Sequence, residues 1–323
     1  MKAVSRTACP VNVDNFCRAE TDMYFGMFVK GGALGRFYHF REPPPVVGPG
    51  VRPNRDTLYS QAVFDLDAGP VTLTLPEARN RFMSMTVIDE DHYVPEVAYC
   101  PGDYTYTREQ IGTRYLLAWV RTQVDPAGSH DIKRANALQD AVRLVQPGGP
   151  GRFEAPAWDQ ASQKKVRDAL LGLHATSPNL KNAAGRRGEV DPLRHLIATA
   201  AGWGLNPDKD AVYFNVTPDR NDGAGIYTLT LSDEVPVDGS WSISVYDANG
   251  HFVKNGFDAY TLNNMTAKKD EHGAVTIQFG RCNGAMPNCL PIFPGWNYTV
   301  RLYRPRPEIL NGTWTFPEAQ AAN

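Results

Sequence analysis

Apolar residues recur two apart in two long stretches of this chain and three to four apart in the stretch between them, so strand, helix and strand signals follow in that order. Before the first β stretch, Val13, Phe16, Met23, Phe28, Val29, Leu34 and Phe37 fall loosely at helical spacing, broken by Gly31-Gly32. One or two helices are predicted there, the second ending near Phe40. Residues 41–50 hold three consecutive prolines, which fix φ and remove donors, so this segment fits neither a helix nor a central strand and reads as a stiff connector. Strands are predicted over 60–66, 71–75, 82–89 and 115–122. The turn residues Asp67-Ala68-Gly69-Pro70 separate the first two and point to antiparallel pairing.

From about 132 to 205 the pattern changes. Ala135, Leu138, Ala141, Val142 and Val145 repeat at helical spacing, further helices are predicted over 158–172 and 194–201, and a Gly-rich break falls at 147–151. Strands resume over 212–216, 226–231, 241–246, 252–255, 275–279 and 298–303. Asp247-Ala248-Asn249-Gly250 makes a tight turn, because Asn-Gly tolerates positive φ. The expected fold is mainly β with a helical insert (α+β): two antiparallel β-sandwich or jelly-roll-like domains flanking a helical segment. The expected division is 1–130, 131–205 and 206–323.

Composition changes the picture little. The chain has 323 residues, 42% hydrophobic and 21% charged, which is ordinary globular composition and long enough for two domains. A formal net charge of −2 without runs of one sign argues against a nucleic-acid groove or a polybasic membrane patch and favours a small-molecule ligand or substrate. No window approaches the roughly 20 apolar residues of a membrane helix. The first ten residues lack a signal-peptide core, so the chain as written is expected in the cytoplasm, or in the periplasm or outside the cell where a signal has been removed. Among five cysteines, Cys282 and Cys289 are the disulfide candidates in an exported protein and free thiols otherwise.

The most informative polar cluster is Asn54-Arg55-Asp56-Thr57-Leu58-Tyr59-Ser60, set immediately before a strand that is to be buried. Buried polar groups need partners, since leaving one unpaired costs on the order of 2–7 kcal/mol. With the neighbouring Asp65-Leu66, Gly69-Pro70 and Arg81-Phe82-Met83-Ser84-Met85 with Asp89, this segment resembles the module called domain of unknown function 1254. Gly239-Ser240-Trp241-Ser242-Ile243-Ser244-Val245-Tyr246-Asp247, Phe252-Val253-Lys254-Asn255, Asn288-Cys289-Leu290-Pro291 and Arg301-Leu302-Tyr303-Arg304-Pro305 are similar to its usual companion, domain of unknown function 1214. The resemblance implies two β-sandwich domains flanking helices, frequent export to the periplasm or cell surface, and no generally established activity. The chain departs from it in lacking a signal and in its compact N-terminal module.

Two readings of the cluster stand side by side. Asp56 with Arg55, Tyr59 and Asn54 edges a pocket, where burial raises a carboxyl pKa toward neutrality and fits it for acid/base work, or Asp56 accepts backbone amides at a turn and pins the connector. A second cluster, Asp89-Glu90-Asp91-His92-Tyr93 with Glu96 and Tyr99, ends a predicted strand. It admits a cation site, a metal site through His92, an acid/base pair or a solvated acidic loop. The other histidines are isolated in sequence, so no metal and no cofactor are expected. Asp219-Arg220-Asn221-Asp222-Gly223 departs from a calcium loop, with its Gly one position early and Thr230 in place of the closing Glu, and reads as a polar turn. Trp241, Trp296 and Trp314 offer stacking surfaces or core packing.

The expected site therefore has Asp56, Arg55, Tyr59 and His92 in catalysis and Asn54, Tyr93, Glu96 and Trp241 in binding. The first functional expectation is a cofactor-independent acid/base enzyme, a hydrolase, lyase, isomerase or cyclase, acting on a small organic molecule. The alternative is a non-catalytic ligand- or carbohydrate-binding, cell-surface or assembly protein. A homo-oligomer is expected from edge strands and from the tail carrying Trp314 and Phe316, which packs on a neighbour or back on its own domain.

Overall fold

The computed structural model describes residues 8–48, 50–177, 179–232 and 234–322. Residues 1–7, which carry most of the segment read for a signal peptide, and Pro49 of the proline-rich connector lie outside it. The architecture is α+β and mainly β, with sixteen strands and six α-helices among the described residues. Contacts divide the chain into two compact units built from non-consecutive segments. Met1–His39, Tyr59–Arg121 and Leu138–Asp208 form one, and Phe40–Leu58, Thr122–Ala137 and Lys209–Asn323 the other.

The elements up to residue 208 are α1 (Phe16–Lys30), β1 (Tyr38–His39), β2 (Thr57–Asp65), β3 (Val71–Leu75), β4 (Met83–Asp89), β5 (Glu96–Ala98), β6 (Gly102–Tyr106), α2 (Arg108–Ile111), β7 (Tyr115–Gln123), α3 (Ser129–Ala141), β8 (Arg143–Val145), α4 (Gln160–His174) and α5 (Pro192–Ala201). In the first unit a sheet ordered β1-β2-β7-β4-β5 packs on a three-stranded sheet β6-β3-β8 through Phe64, Leu73, Met85, Leu116 and Val120. Its other face carries Val63, Ile88, Tyr115 and Leu117 against Phe25 of α1. With both faces covered, β4 is buried at every position, polar ones included. The helices α1, α4 and α5 close around Phe16, Ala19, Leu170 and Ile197.

Of the one or two helices expected before the connector, one forms: α1 stops at Gly31, and the chain beyond it bends into the short strand β1. Two local expectations are overturned. β2 and β3 do not form a hairpin. A 3-10 turn at Leu66–Ala68, whose Asp67 amide donates to Asp65 Oδ1 at 3.1 Å, carries the chain from one sheet to the other. The helical spacing through Val145 also overruns, because α3 ends at Ala141 and residues 143–145 pair with β3 as an edge strand.

The second unit adds β9 (Ala211–Val216), β10 (Tyr227–Leu231), β11 (Val237–Tyr246), β12 (Thr261–Asn263), β13 (Val275–Phe279), β14 (Cys289–Leu290), β15 (Asn297–Pro305), α6 (Pro307–Leu310) and β16 (Gln320–Ala321). Sheets ordered β12-β11-β15-β9 and β14-β13-β10-β16 form a sandwich filled by Leu229, Ile243, Ile277, Phe279, Trp296 and Val300. The turn at 247–250 forms as read, with Gly250 at φ 81 and its amide on Asp247 O at 2.9 Å. No strand follows at 252–255; Phe252 instead packs between Tyr246 and Tyr260. Trp314 and Phe316 pack back on this unit's own core. Cys282 and Cys289 are joined in a disulfide.

Candidate functional site

In the second unit, β11 and β15 alternate strictly. Trp241, Ile243 and Val245 lie opposite Leu302, Val300 and Tyr298 on the sandwich face, as period-two patterning requires. The other face pairs Ser240 with Tyr303, Ser242 with Arg301, Ser244 with Thr299 and Tyr246 with Asn297, and β12 adds Asn263 and Thr261 beside Ser242 and Ser244. An alternating strand ordinarily turns such a face to water. Here it is buried: Ser242 is 1% exposed, Arg301 4% and Asn263 0%.

Residues 52–56 cover that face. Arg52 O and Pro53 O accept from Arg301 Nη2 at 2.9 Å and Tyr246 Oη at 2.7 Å. Asn54 Nδ2 donates to Tyr303 Oη at 3.1 Å, and its Oδ1 accepts the Asp56 amide at 2.9 Å. Asp56 Oδ2 accepts from Thr261 Oγ1 at 2.7 Å and Oδ1 from Asn263 Nδ2 at 2.9 Å. Burial pushes the Asp56 pKa up, against the pull of these donors and of the Arg301 charge. Asn263 Nδ2 gives a hydrogen to Asp56 Oδ1, while the single Thr261 hydroxyl hydrogen faces both Asp56 Oδ2 and Ile243 O, at 2.7 and 2.9 Å. Arg55 faces elsewhere: its Nη1 donates to Pro44 O and its guanidinium lies 5.6 Å from the Tyr260 ring.

Beside this network is a pocket of about 230 Å³. Its walls include Phe257, Leu262, Met286, Leu290 and the Cys282–Cys289 disulfide, with Thr261 at its edge. Thr261 Oγ1 is thus shared between the pocket lining and the Asp56 hydrogen bond. Asp56 itself does not line it.

The remaining expected site residues, apart from Trp241, lie in the first unit. His92 sits at φ 68 in a turn whose amides at Asp91 and Tyr93 donate to Asp89 Oδ1 at 2.8 and 2.9 Å. Thr199 Oγ1 donates to His195 O at 2.9 Å, so at 2.9 Å from His92 Nδ1 it acts as acceptor, while His92 Nε2 accepts the Gly204 amide at 2.8 Å. These contacts fix the neutral tautomer protonated at Nδ1. Burial, with the neighbouring His195, pulls the His92 pKa down to about 3. Aspartate 191 caps α5 and Pro192 opens it, setting His195 and Thr199 one turn apart on one face.

Around this pair runs a stack of rings. Arg187 lies 4.3 Å over Tyr93, Tyr93 stacks on His195 at 4.2 Å, His92 lies between His195 and Trp203, and Trp203 stacks on Tyr24 at 4.3 Å. Burial pushes Asp89 up to about 7, with the Asp91 charge adding to it. On α1, Asp22 is likewise raised to about 7, by burial first and then by the Glu90 charge; its Oδ2 accepts from Trp158 Nε1 at 2.8 Å, and its Oδ1 is buried without a hydrogen-bond donor. Glu96 accepts from Tyr106 Oη at 2.8 Å, and Tyr59 is half-buried with its ring 5.7 Å from Trp119. Trp241 belongs to the second unit's core. No group of three or more His, Cys, Asp and Glu side chains among the described residues is placed to hold a metal ion.

The polar groups that sequence reasoning missed are Thr261, Asn263 and Arg301 around Asp56, and His195 and Thr199 around His92. The alternation of Ser240, Ser242 and Ser244 with Trp241, Ile243 and Val245 was the available signal for the first set, but it describes a wet face and a covered polar face equally well.

Two family models match the chain. Residues 34–94 match "Protein of unknown function (DUF1254)", and residues 210–307 match "Protein of unknown function (DUF1214)". The chain carries both modules. The second match spans most of the sandwich that holds the polar face, and the first includes the 52–56 segment that covers it. Among solved structures, the VPA0106 protein from Vibrio parahaemolyticus is 16% identical with a TM-score of 0.71, covering 97% of this chain and 100% of that one. A putative uncharacterized protein from Burkholderia cenocepacia is 12% identical with a TM-score of 0.52, covering 98% of this chain and 91% of that one. These likenesses concern the fold. No curated protein matches the chain. No helix among the described residues is long and apolar enough to cross a membrane.

Proposed function

We propose that the protein binds a small, largely apolar molecule without turning it over, and that the ligand occupies the second unit's pocket. The observation that carries this reading is the pocket's lining: Phe257, Leu262, Met286 and Leu290 surround about 230 Å³, and its two polar side chains are already engaged, Thr261 with Asp56 and Asn288 with the backbone of Lys268 and Thr276. That space equals roughly eight water molecules of liquid volume, which suits a small ring or a short aliphatic chain. The side chains expected in acid/base catalysis fit the binding reading as framework. Asp56 holds two protein donors, and both His92 nitrogens are engaged by protein groups.

The disulfide in the pocket wall favours an oxidising compartment, hence a periplasmic or secreted protein rather than a cytoplasmic one. Ligand-observed NMR with a panel of small aromatic and aliphatic compounds tests the proposal. Saturable binding to the wild type, lost in Leu262→Trp, is the expected result. Binding unchanged in Leu262→Trp would move the site elsewhere, and turnover of any panel compound that disappears in Asp56→Ala would restore the acid/base enzyme.

A further inference from the structure

Two loops of the second unit meet at its pocket, and an asparagine braces each. In the first, Asn255 Oδ1 accepts the amides of Phe257 and Ala259 at 3.1 and 3.2 Å, and Asn255 Nδ2 donates to Ala259 O at 2.9 Å. In the second, which the Cys282–Cys289 disulfide closes, Asn283 Oδ1 accepts the amides of Ala285 and Met286, both at 3.1 Å. Such side-chain-to-backbone turns hold a short loop where no strand ladder can. They set Phe257 and Met286 in the pocket lining although the two residues are 47% and 42% exposed. The Phe257 ring reaches across to the second loop, where a Cβ on Gly284 would lie 3.5 Å from its Cε1. Phe257 and Met286 thus form the rim, and the buried Leu290 belongs to the inner wall.

This lining differs in kind from an aliphatic one. Three of its residues, Cys282, Met286 and Cys289, carry sulfur, and Phe257 carries a ring. Sulfur is attracted to aromatic rings, often at their edges, and two rings gain further from offset or edge-to-face pairing. Neither gain is open to a saturated ring. Burial of apolar area alone runs the other way, because a cyclohexyl ring presents more apolar surface than a phenyl ring. The pocket's polar side chains do not alter this balance, since Thr261 is bonded to Asp56 and Asn288 to the backbone of Lys268 and Thr276.

We propose that the ligand carries an aromatic ring, which enters between Phe257 and Met286 against the disulfide, and that these two side chains select it over a saturated ring of the same size. The inference rests on the reading of this pocket as the ligand site and names the class of molecule it takes.

Benzyl alcohol and cyclohexylmethanol share a polar tail and differ in ring saturation, so ligand-observed NMR titration of the full chain with each tests it. The expected result is that benzyl alcohol binds about fivefold or more tightly than cyclohexylmethanol. That ratio is expected to fall toward one in Met286→Leu and in Phe257→Leu, which keep the rim apolar and, at half-exposed positions, leave the core intact. Equal binding of the two alcohols, or tighter binding of cyclohexylmethanol, overturns the inference, and loss of both in Leu262→Trp then leaves the pocket itself standing as a site for apolar molecules. An aromatic preference unchanged in both rim variants overturns the roles of Phe257 and Met286. Binding of neither alcohol overturns the inference, and silence of the whole aromatic and aliphatic panel overturns the pocket reading beneath it.

Discussion

Asp56 and Asp22 are both buried carboxyl groups, and they make opposite predictions. Asp56 sits among donors and near the Arg301 cation, so Asp56→Ala strands two donors and an uncompensated charge. The expected cost is about 3–5 kcal/mol, read as a lowered urea midpoint. Asp22 has one oxygen without a donor and a carboxylate neighbour, and its pKa of about 7 lies above its unfolded value. The folded state therefore holds a proton that the unfolded state has released between about pH 4 and 7, so stability falls as pH rises through that window and levels off above it. Asp22→Asn keeps the contact to Trp158 and removes this penalty. It is expected to be the more stable form at pH 8 by about 2–4 kcal/mol, with the difference vanishing near pH 4. Asp89, also raised to about 7, retains its own share of the slope in that variant. None of this was legible in the sequence, which shows a carboxylate but not whether donors or another carboxylate will surround it.

Regular elements were legible where period and burial agree. β3 and β13 lie where alternation placed them, 71–75 and 275–279, because one apolar face meets one core. Residues 252–255 have the right composition for a strand, yet Phe252 is taken up by Tyr246 and Tyr260, and no neighbouring strand offers it a ladder. The segment after α5 shows the same dependence on context. Gly204, at φ 82, gives its amide to His92, and a Cβ there would meet the Trp119 ring at 2.6 Å. Gly204→Ala is expected to lower the melting temperature and alter tryptophan fluorescence, with a cost of about 1–3 kcal/mol from overpacking and backbone strain. A mild effect below about 0.5 kcal/mol would show that the ring yields. The candidate site was legible as residues 54–56 alone. Its partners on β11, β12 and β15 arrive by pairing register, which no local window contains.

At the scale of the whole chain, the second unit is assembled from three stretches, and the last of them alone lacks the cover of its polar face. A fragment of residues 206–323 is expected to show poor NMR dispersion and weak near-UV dichroism, since Arg301, Ser242 and Asn263 would lose Asp56 and the backbone above them. Restoration of dispersed signals by a peptide of residues 40–58 would confirm that the missing piece is this segment; a fully dispersed spectrum without it would contradict the account. The expected homo-oligomer loses one of its supports, because Trp314 and Phe316 pack within this unit. The inward polar face also constrains how such a gene can recombine. A C-terminal sandwich moved into another protein would carry an arginine in search of its aspartate, so inheritance must keep the coding sequences for residues 52–56 and 240–303 together although most of the first unit lies between them. The two modules behave as one heritable lock and key, and a relative that loses one part is expected to have rewritten the other.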